Sequence, residues 1–291
     1  MKNILYQMAK LGDTSRFKAV KRILLTMFVF CCVVIFYTMP SISAKSEKIM
    51  IFFYSSETNI NNFKSLKMEF DSYLSKSGSY KIQPFNDRKA FEQHIRDKKN
   101  CLLFLSSWHY SKIYKEYSLK PCLVGIRNNK KYQKRILMSS AKYANLKTAM
   151  KGPVASASNE AHTRSVLTEM IKNKKLADSV RVLTVPKDID ALMSVGFKMS
   201  KCALTTENAA DNLKMTDPKL YEKMRILAEG KESLLLIVAA PENFTKDAKK
   251  LIKIIKNMPG DPDGINIIKM LDLDGWKPVD PSDISKLEGL K

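Results

Sequence analysis

Acidic residues, histidine, cysteine and glycine are all scarce in this 291-residue sequence. It has 29 Asp+Glu against 50 Lys+Arg, three His, five Cys and ten Gly. Each shortage excludes something. His94, His109 and His162 alone do not make a multi-histidine metal centre. The cysteine count excludes a disulfide scaffold, and the glycine content and missing heptads exclude collagen and coiled coil. With 45% hydrophobic residues and no low-complexity tract, the chain has enough apolar material for real cores and is not intrinsically disordered. There is no Gly-x-Ser-x-Gly elbow, P-loop, Gly-x-Gly-x-x-Gly or His-Glu-x-x-His. Ser158 and His162, at i and i+4, make the one imaginable nucleophile–base pair, and no third residue orients the base. An enzyme is therefore not expected, and neither is a cofactor. What remains is a formal charge of +21, which points to an anionic partner: nucleic acid, a membrane surface or a small acidic molecule.

The N-terminus separates these options. Residues 1–22 carry Lys2, Lys10, Arg16, Lys18, Lys21 and Arg22 against the single acid Asp13. Ile23–Thr38 is an uncharged apolar run, followed by Pro40-Ser-Ile-Ser-Ala44 and Lys45. A basic start, a short apolar run, a helix breaker and small residues describe a secretory signal peptide, with cleavage after Ala44 or Ser43. The alternative is an uncleaved N-terminal anchor, although the run is shorter than the roughly 20 residues of a spanning helix. In both cases residues 45–291 are expected to be periplasmic or otherwise extracytoplasmic, with no nucleic-acid partner. Removing residues 1–44 takes away six bases and one acid, leaving 44 against 28, or +16. Cys101, Cys122 and Cys202 remain. Their odd number and apolar settings suit buried thiols, with a Cys101–Cys122 bridge as the alternative.

Hydrophobic patterning after residue 45 alternates strand and helix. Strands are expected at Lys48–Tyr54, Tyr80–Gln83, Cys101–Leu105, Lys120–Gly125 and Arg135–Met138, with helices at Asn59–Ser75, Asp87–Lys98 (Asp87 as a possible cap) and Trp108–Tyr117. A short helix or turn at Asn145–Gly152 precedes a second series. Its strands are Val154–Ser156, Val180–Val185, Cys202–Thr205, Met224–Ala228 and Ser233–Ala240. Its helices are Glu160–Asn173, Asp188–Val195, Glu207–Leu213, Thr245–Met258 and Ile265–Leu271. This alternation predicts an α/β fold with a largely parallel sheet. Asp261, Asp263, Asp272 and Asp274 have no EF-hand spacing, so a turn and a capped helix are expected there, not a calcium loop.

Several landmarks carry a family likeness. Cys101-Leu-Leu-Phe-Leu-Ser-Ser-Trp-His-Tyr110 is a strand ending in a small-residue turn, with an aromatic at the helix start. Gly125 and Tyr132 lead to the strand Arg135–Met138. Asn145-Leu-Lys147 through Lys151-Gly-Pro-Val-Ala-Ser-Ala-Ser158 forms a turn, a strand and a Ser-rich loop. Pro241–Lys256, Asp261-Pro-Asp-Gly264 and Gly275-Trp276 close the chain. Through these, residues 48–288 resemble the periplasmic substrate-binding proteins of phosphonate/phosphate/phosphite-type ABC transporters. Asn100, Ser106-Ser107 and Gly196-Phe-Lys-Met depart from the pattern common among relatives. The resemblance implies a two-lobed type II periplasmic-binding-protein fold, with two α/β sandwiches joined by crossing strands near residues 139–150 and 229–236. Lobe 1 would comprise 45–145 plus 233–291 and lobe 2 would comprise 146–232. It also implies a monomer that closes on a small anionic ligand and delivers it to an inner-membrane ABC permease.

Candidate ligand residues lie at four strand ends. Ser156, Ser158 and Asn159 lead into a helix whose first turns carry His162, Thr163 and Arg164, a setting that supplies oxyanion donors. Ser106, Ser107, His109 and Tyr110 form the matching first-lobe loop. Ser55 and Ser56 follow the first strand, and Thr205 and Glu207 follow a second-lobe strand, at the sheet edge where open α/β folds bind ligands. For each loop the alternative is simple helix capping, with Trp108 and Tyr110 as packing residues.

Overall fold

The computed structural model describes residues 49–55, 62–96, 98, 100–143 and 145–289. Residues 48–291 form one compact unit. The expected signal peptide or anchor lies outside the described residues, as does Ser56.

The strands are β1 Ile49–Tyr54, β2 Tyr80–Pro84, β3 Cys101–Leu105, β4 Leu119–Ile126, β5 Tyr132–Ser140, β6 Val154–Ser156, β7 Val182–Thr184, β8 Cys202–Thr206, β9 Met224–Leu234, β10 Ile237–Pro241 and β11 Gly275–Pro278. The helices are α1 Phe63–Ser75, α2 Arg88–Ile95, α3 Ser107–Ile113, α4 Leu146–Ala149, α5 Glu160–Ile171, α6 Lys174–Ser179, α7 Asp188–Gly196, α8 Glu207–Thr216, α9 Pro218–Tyr221, α10 Lys246–Asn257, α11 Pro262–Met270 and α12 Pro281–Glu288. They build two sheets. The first has the order β11-β4-β10-β3-β1-β2 and the second β7-β6-β8-β5-β9.

Both sheets carry core on two faces, so inner strands such as β1, β3 and β10 read as continuous apolar runs, whereas the edge strand β9 does not. In β1, Ile49, Ile51 and Phe53 enter one core, with α1, α10 and α11. Phe52 and Tyr54 enter the other, with α2 and α3. In β5, Ile136 and Met138 face one second-sheet core and Leu137 the other. This is the period-2 alternation of a strand.

The largely parallel expectation needs correcting, because both sheets are mixed. β1 is parallel to β2 and β3, and β6 is parallel to β7 and β8. β10 runs antiparallel to β3 and β4, and β5 antiparallel to β8 and β9. Within each series a helix returns the chain to the starting edge, which makes neighbours parallel. β5 and β10 instead follow short passages between the sheets, with no returning helix, and so run the opposite way.

Those passages also relocate a boundary. The chain leaves the first sheet between Ile126 and Tyr132, upstream of the expected 139–150, and returns at Leu235–Leu236. The first passage is a tight turn. Arg127 and Lys130 bridge, and Asn128 and Asn129 have φ of 48° and 64°, a left-handed conformation that asparagine tolerates. The run Ser233–Ala240, expected as one strand, is divided. Ser233 and Leu234 finish β9, Leu235–Leu236 pass between sheets, and β10 starts at Ile237. The run is apolar from Leu234 onward because Leu234 and Leu235 are nearly as buried as β10 itself.

Local capping follows the expected chemistry. Asp87 accepts from the Ala90 amide at 2.8 Å, and Asp261 accepts from the Asp263 and Gly264 amides at 2.9 and 3.2 Å. The unforeseen α12 carries a cap-and-proline signal, Asp280-Pro281, with Asp280 accepting from the Asp283 amide at 3.0 Å. The three cysteines are free thiols. β10 lies between β3 and β4, so Cys101 and Cys122 are two strand spacings apart, roughly 10 Å and too far for a bridge. Burial pushes these thiols up, to about 12 for Cys101 and about 11 for Cys122 and Cys202.

Candidate functional site

Parallel strands followed by helices put their carboxyl ends, and the loops beyond them, at one edge of each sheet. β1 and β3 pair as neighbours, Tyr54 opposite Leu105, so Ser55 and Ser106 emerge side by side. In the second sheet, Ser156 at the end of β6 pairs with Leu204 of β8, and Thr206 at the end of β8 pairs with Arg135 near the start of β5. The antiparallel entry of β5 thus delivers Arg135 to the same edge as the second-lobe loops.

The resulting cleft is lined by Ser55 and Ser106, which follow β1 and β3, by Gln133 and Arg135 of β5 and by Asp188 of α7. Leu235 and Leu236 of the returning passage also line it, with Arg127 and Asp272 at one end. Arg135 is the unusual member. It is only 4% exposed, and a buried guanidinium needs anionic company. Its Nη1 lies 3.4 Å from Oδ1 of Asp188, the first residue of α7. The β5–β9 ladder shifts register between Lys134 and Ile136, a bulge of the kind found beside functional sites. Gly230 of β9 allows this fit, since a Cβ there would come within 3.3 Å of the Arg135 carbonyl. Arg135 also borders a second hollow, shared with Trp108, His162 and Glu169.

Contacts bridge the two sheets beside Arg135. The Asn159 amide nitrogen donates to the Tyr54 hydroxyl at 2.8 Å. The Trp108 indole N–H donates to Ser165 Oγ at 3.2 Å, and its ring lies 5.0 Å from that of His162. Arg88 stacks over Trp108 at 5.6 Å. Burial raises the Tyr54 phenol above its ordinary value, partly offset by the bond from Asn159, so it stays protonated.

The expected site residues divide into three groups. Ser55, Ser106, Asn159 and His162 border the cleft or its bridging contacts. Ser106 and Asn159 are also caps, accepting from the His109 amide at 3.2 Å and the His162 amide at 2.9 Å, so capping and cleft placement coincide. Ser156, Ser158 and Thr163 form a buried knot just behind: Ser156 Oγ accepts from the Ser158 amide at 3.1 Å and from Thr163 Oγ1 at 3.0 Å. The remaining residues turn elsewhere. Ser107 donates to the Leu234 carbonyl at 2.7 Å, Tyr110 to the Leu119 carbonyl at 3.1 Å, and Thr205 to the Asp188 carbonyl at 3.0 Å. Glu207 is exposed, 3.7 Å from Lys134. Arg164, also one turn into the helix, is held by Glu160 and by the Ala177 carbonyl.

His109 is also turned inward. Its Nε2 lies 2.8 Å from Glu92, and its ring packs on Tyr54 and Phe91. Burial holds the imidazole below its usual value and therefore neutral. The hydrogen bond from His109, aided by Arg88, holds the Glu92 carboxyl down at about 2. With Nε2 carrying the proton, Nδ1 is a bare acceptor in an aromatic pocket.

Arg135, Gln133 and Asp188 are the cleft residues that loop-based reasoning missed. Local patterning does not set Arg135 apart: it follows the polar Gln133 and Lys134 and opens the apolar stretch Ile136-Leu137-Met138, so its burial shows only in the folded chain.

Comparison with known proteins agrees with this architecture. The family described as "ABC transporter, phosphonate, periplasmic substrate-binding protein" matches residues 53–284. Comparison with curated proteins finds no match. Among solved structures, XAC2383 from Xanthomonas citri bound to ATP is similar at 13% identity and TM-score 0.60, over 83% of this chain and 94% of that one. The binding-protein component of an ABC phosphonate transporter from Pseudomonas aeruginosa is similar at 14% identity and TM-score 0.58, over 82% and 85%. PhnD1 from Prochlorococcus marinus, in complex with methylphosphonate, is similar at 12% identity and TM-score 0.57, over 83% and 96%. At these identities the structures speak for the two-lobed type II binding-protein fold. The family match spans most of the chain, and on that ground the chain belongs to the periplasmic substrate-binding proteins of phosphonate ABC transporters, a family of binding proteins and not of enzymes.

Proposed function

We propose that this chain is an exported, monomeric solute-binding protein that captures a small phosphonate- or phosphate-like oxyanion in the cleft between its sheets and delivers it to an inner-membrane permease. The observation that carries this is the buried guanidinium of Arg135, facing Ser55 and Ser106 across the cleft. A guanidinium offers a planar fork of donors that suits tetrahedral oxyanions. Asp188 lies 3.4 Å from it, and a bound oxyanion would share the guanidinium with that carboxylate. Ser158 and the start of α5 add donors from behind. The methylphosphonate held by the Prochlorococcus relative supports the ligand class.

Isothermal titration with phosphate, phosphite, methylphosphonate and 2-aminoethylphosphonate tests the reading. Heat with at least one ligand is expected. No heat and no thermal shift with any of them would remove the ligand assignment. Mass spectrometry of the exported protein tests processing: a start at Lys45 supports a free binding protein, and an intact Met1 supports an anchored form of the same binding domain, acting as a sensor or accessory component.

A further inference from the structure

One face of the molecule has no role in the cleft. Helix α10 (Lys246–Asn257) buries Ala248, Leu251 and Ile255 in the first-sheet core. Lys246, Lys249, Lys250, Lys253 and Lys256 on the same helix are all exposed. At 100° per residue the five lysines fall within an arc of about 120° opposite the buried stripe. Asp247 is the helix's only acid and lies outside that arc. None of the five lysines forms an ion pair with a described residue. Some lysines elsewhere are matched, such as Lys67 with Asp71, Lys76 with Asp263, Lys131 with Asp280 and Asp283, and Lys134 with Glu229, and others such as Lys142 and Lys172 are not; what sets α10 apart is the gathering of five lysines on one arc of one helix.

The composition of this face selects among anionic partners. It carries no arginine, although the sequence has nine, and so lacks the planar fork that recognises one phosphate bidentately. Of the aromatics beside it, Phe244 is half-buried under Lys249 at 5.9 Å and Tyr73 near Lys256 is buried, so neither offers an open platform for stacking bases. A convex row of flexible ammonium groups suits a diffuse, laterally extended anionic surface instead.

We infer that the lysine face of α10 docks this protein onto anionic phospholipid headgroups at the membrane surface. Docking would confine capture and delivery to two dimensions, and it does not depend on which ligand the cleft takes. It would also weaken with salt, because the charges are exposed.

The test uses residues 48–291, which form their own compact unit and omit the apolar N-terminal run that would insert by itself. Co-sedimentation is measured with vesicles of phosphatidylglycerol and of phosphatidylcholine. Binding to the first and not the second is expected. Changing the five lysines to Gln should weaken it by at least about tenfold. A control variant changes five second-lobe lysines to Gln: Lys142, Lys147, Lys151, Lys172 and Lys175. It should retain binding, with circular dichroism and melting confirming the fold of both variants. Equal losses in the two variants would overturn the proposal, since net charge alone would then be responsible. It would also fall if phosphatidylglycerol vesicles are not bound, or if the five lysines capture polyglutamate and no vesicle, which would assign the face to an acidic protein.

Discussion

The loops after β3 and β6 look alike in sequence: Ser106-Ser107-Trp-His109 in one, Ser156-Ala-Ser158-Asn159 with His162 in the other. In the structure they differ. The first loop fixes most of its polar groups on structural partners, two in its own lobe and one at the end of β9. Ser107 secures the Leu234 carbonyl, His109 secures Glu92 and Tyr110 secures the Leu119 carbonyl, leaving Ser106 and Trp108 to face outward. The second loop ties Ser156, Ser158 and Thr163 into a knot, and its next residues reach across to Tyr54 and Trp108. Residue type therefore did not set the role. A buried hydroxyl or imidazole must find a partner, and the nearest partner determines whether it stabilises a lobe or addresses the cleft.

Substitutions can break this contrast. Tyr110→Ala should have the largest effect, about 3–5 kcal/mol of stability measured by chemical denaturation, because a fully buried ring is lost; ligand affinity per folded molecule should not change. Arg135→Ala should weaken oxyanion binding in titration calorimetry by about 1.5–3 kcal/mol and also lower stability, because it removes the partner of the Asp188 carboxylate. The Arg135→Ala/Asp188→Ala double variant separates the lost donor from the stranded carboxylate. If it regains stability but not affinity, the guanidinium is the ligand group. Ser158→Ala should cost about 1–2 kcal/mol of affinity, whereas Ser107→Ala should cost about 1 kcal/mol of stability and no affinity. Equal affinity losses at both serines would erase the distinction between the loops.

The smallest expected effect is on pH dependence. Buried His109 is neutral in the folded state, while the unfolded chain takes up a proton near 6.5, so stability should decline as pH falls below about 6.5. Glu92 contributes stability that is fully present above about 4.5 and is lost as pH falls towards about 2. Thermal melts at stepped pH should show both declines. His109→Gln should flatten the upper one.

Much of the fold was legible in the sequence because burial on both faces of a sheet imposes apolar runs, and caps such as Asp87 and Asp261 act within a few residues of themselves. The reversed direction of β5 and β10 was not legible, because it depends on where the chain changes sheets, and short apolar passages such as Leu235–Leu236 look like strand. Arg135 escaped for a related reason. Strand patterning placed it on β5, but only the pairing of β5 against β8 brings it to the cleft edge, opposite Thr206.

By itself the sequence determined the alternation of strands and helices, the family likeness and the lysine stripe of α10, since each depends on neighbours a few residues apart. The tertiary structure decided the mixed sheets, the free thiols, the inward turn of His109 and Tyr110, and the pairing of Arg135 with Asp188. Each of these joins residues far apart in the chain, where hydrogen-bond and charge partners are set by packing and not by local spacing.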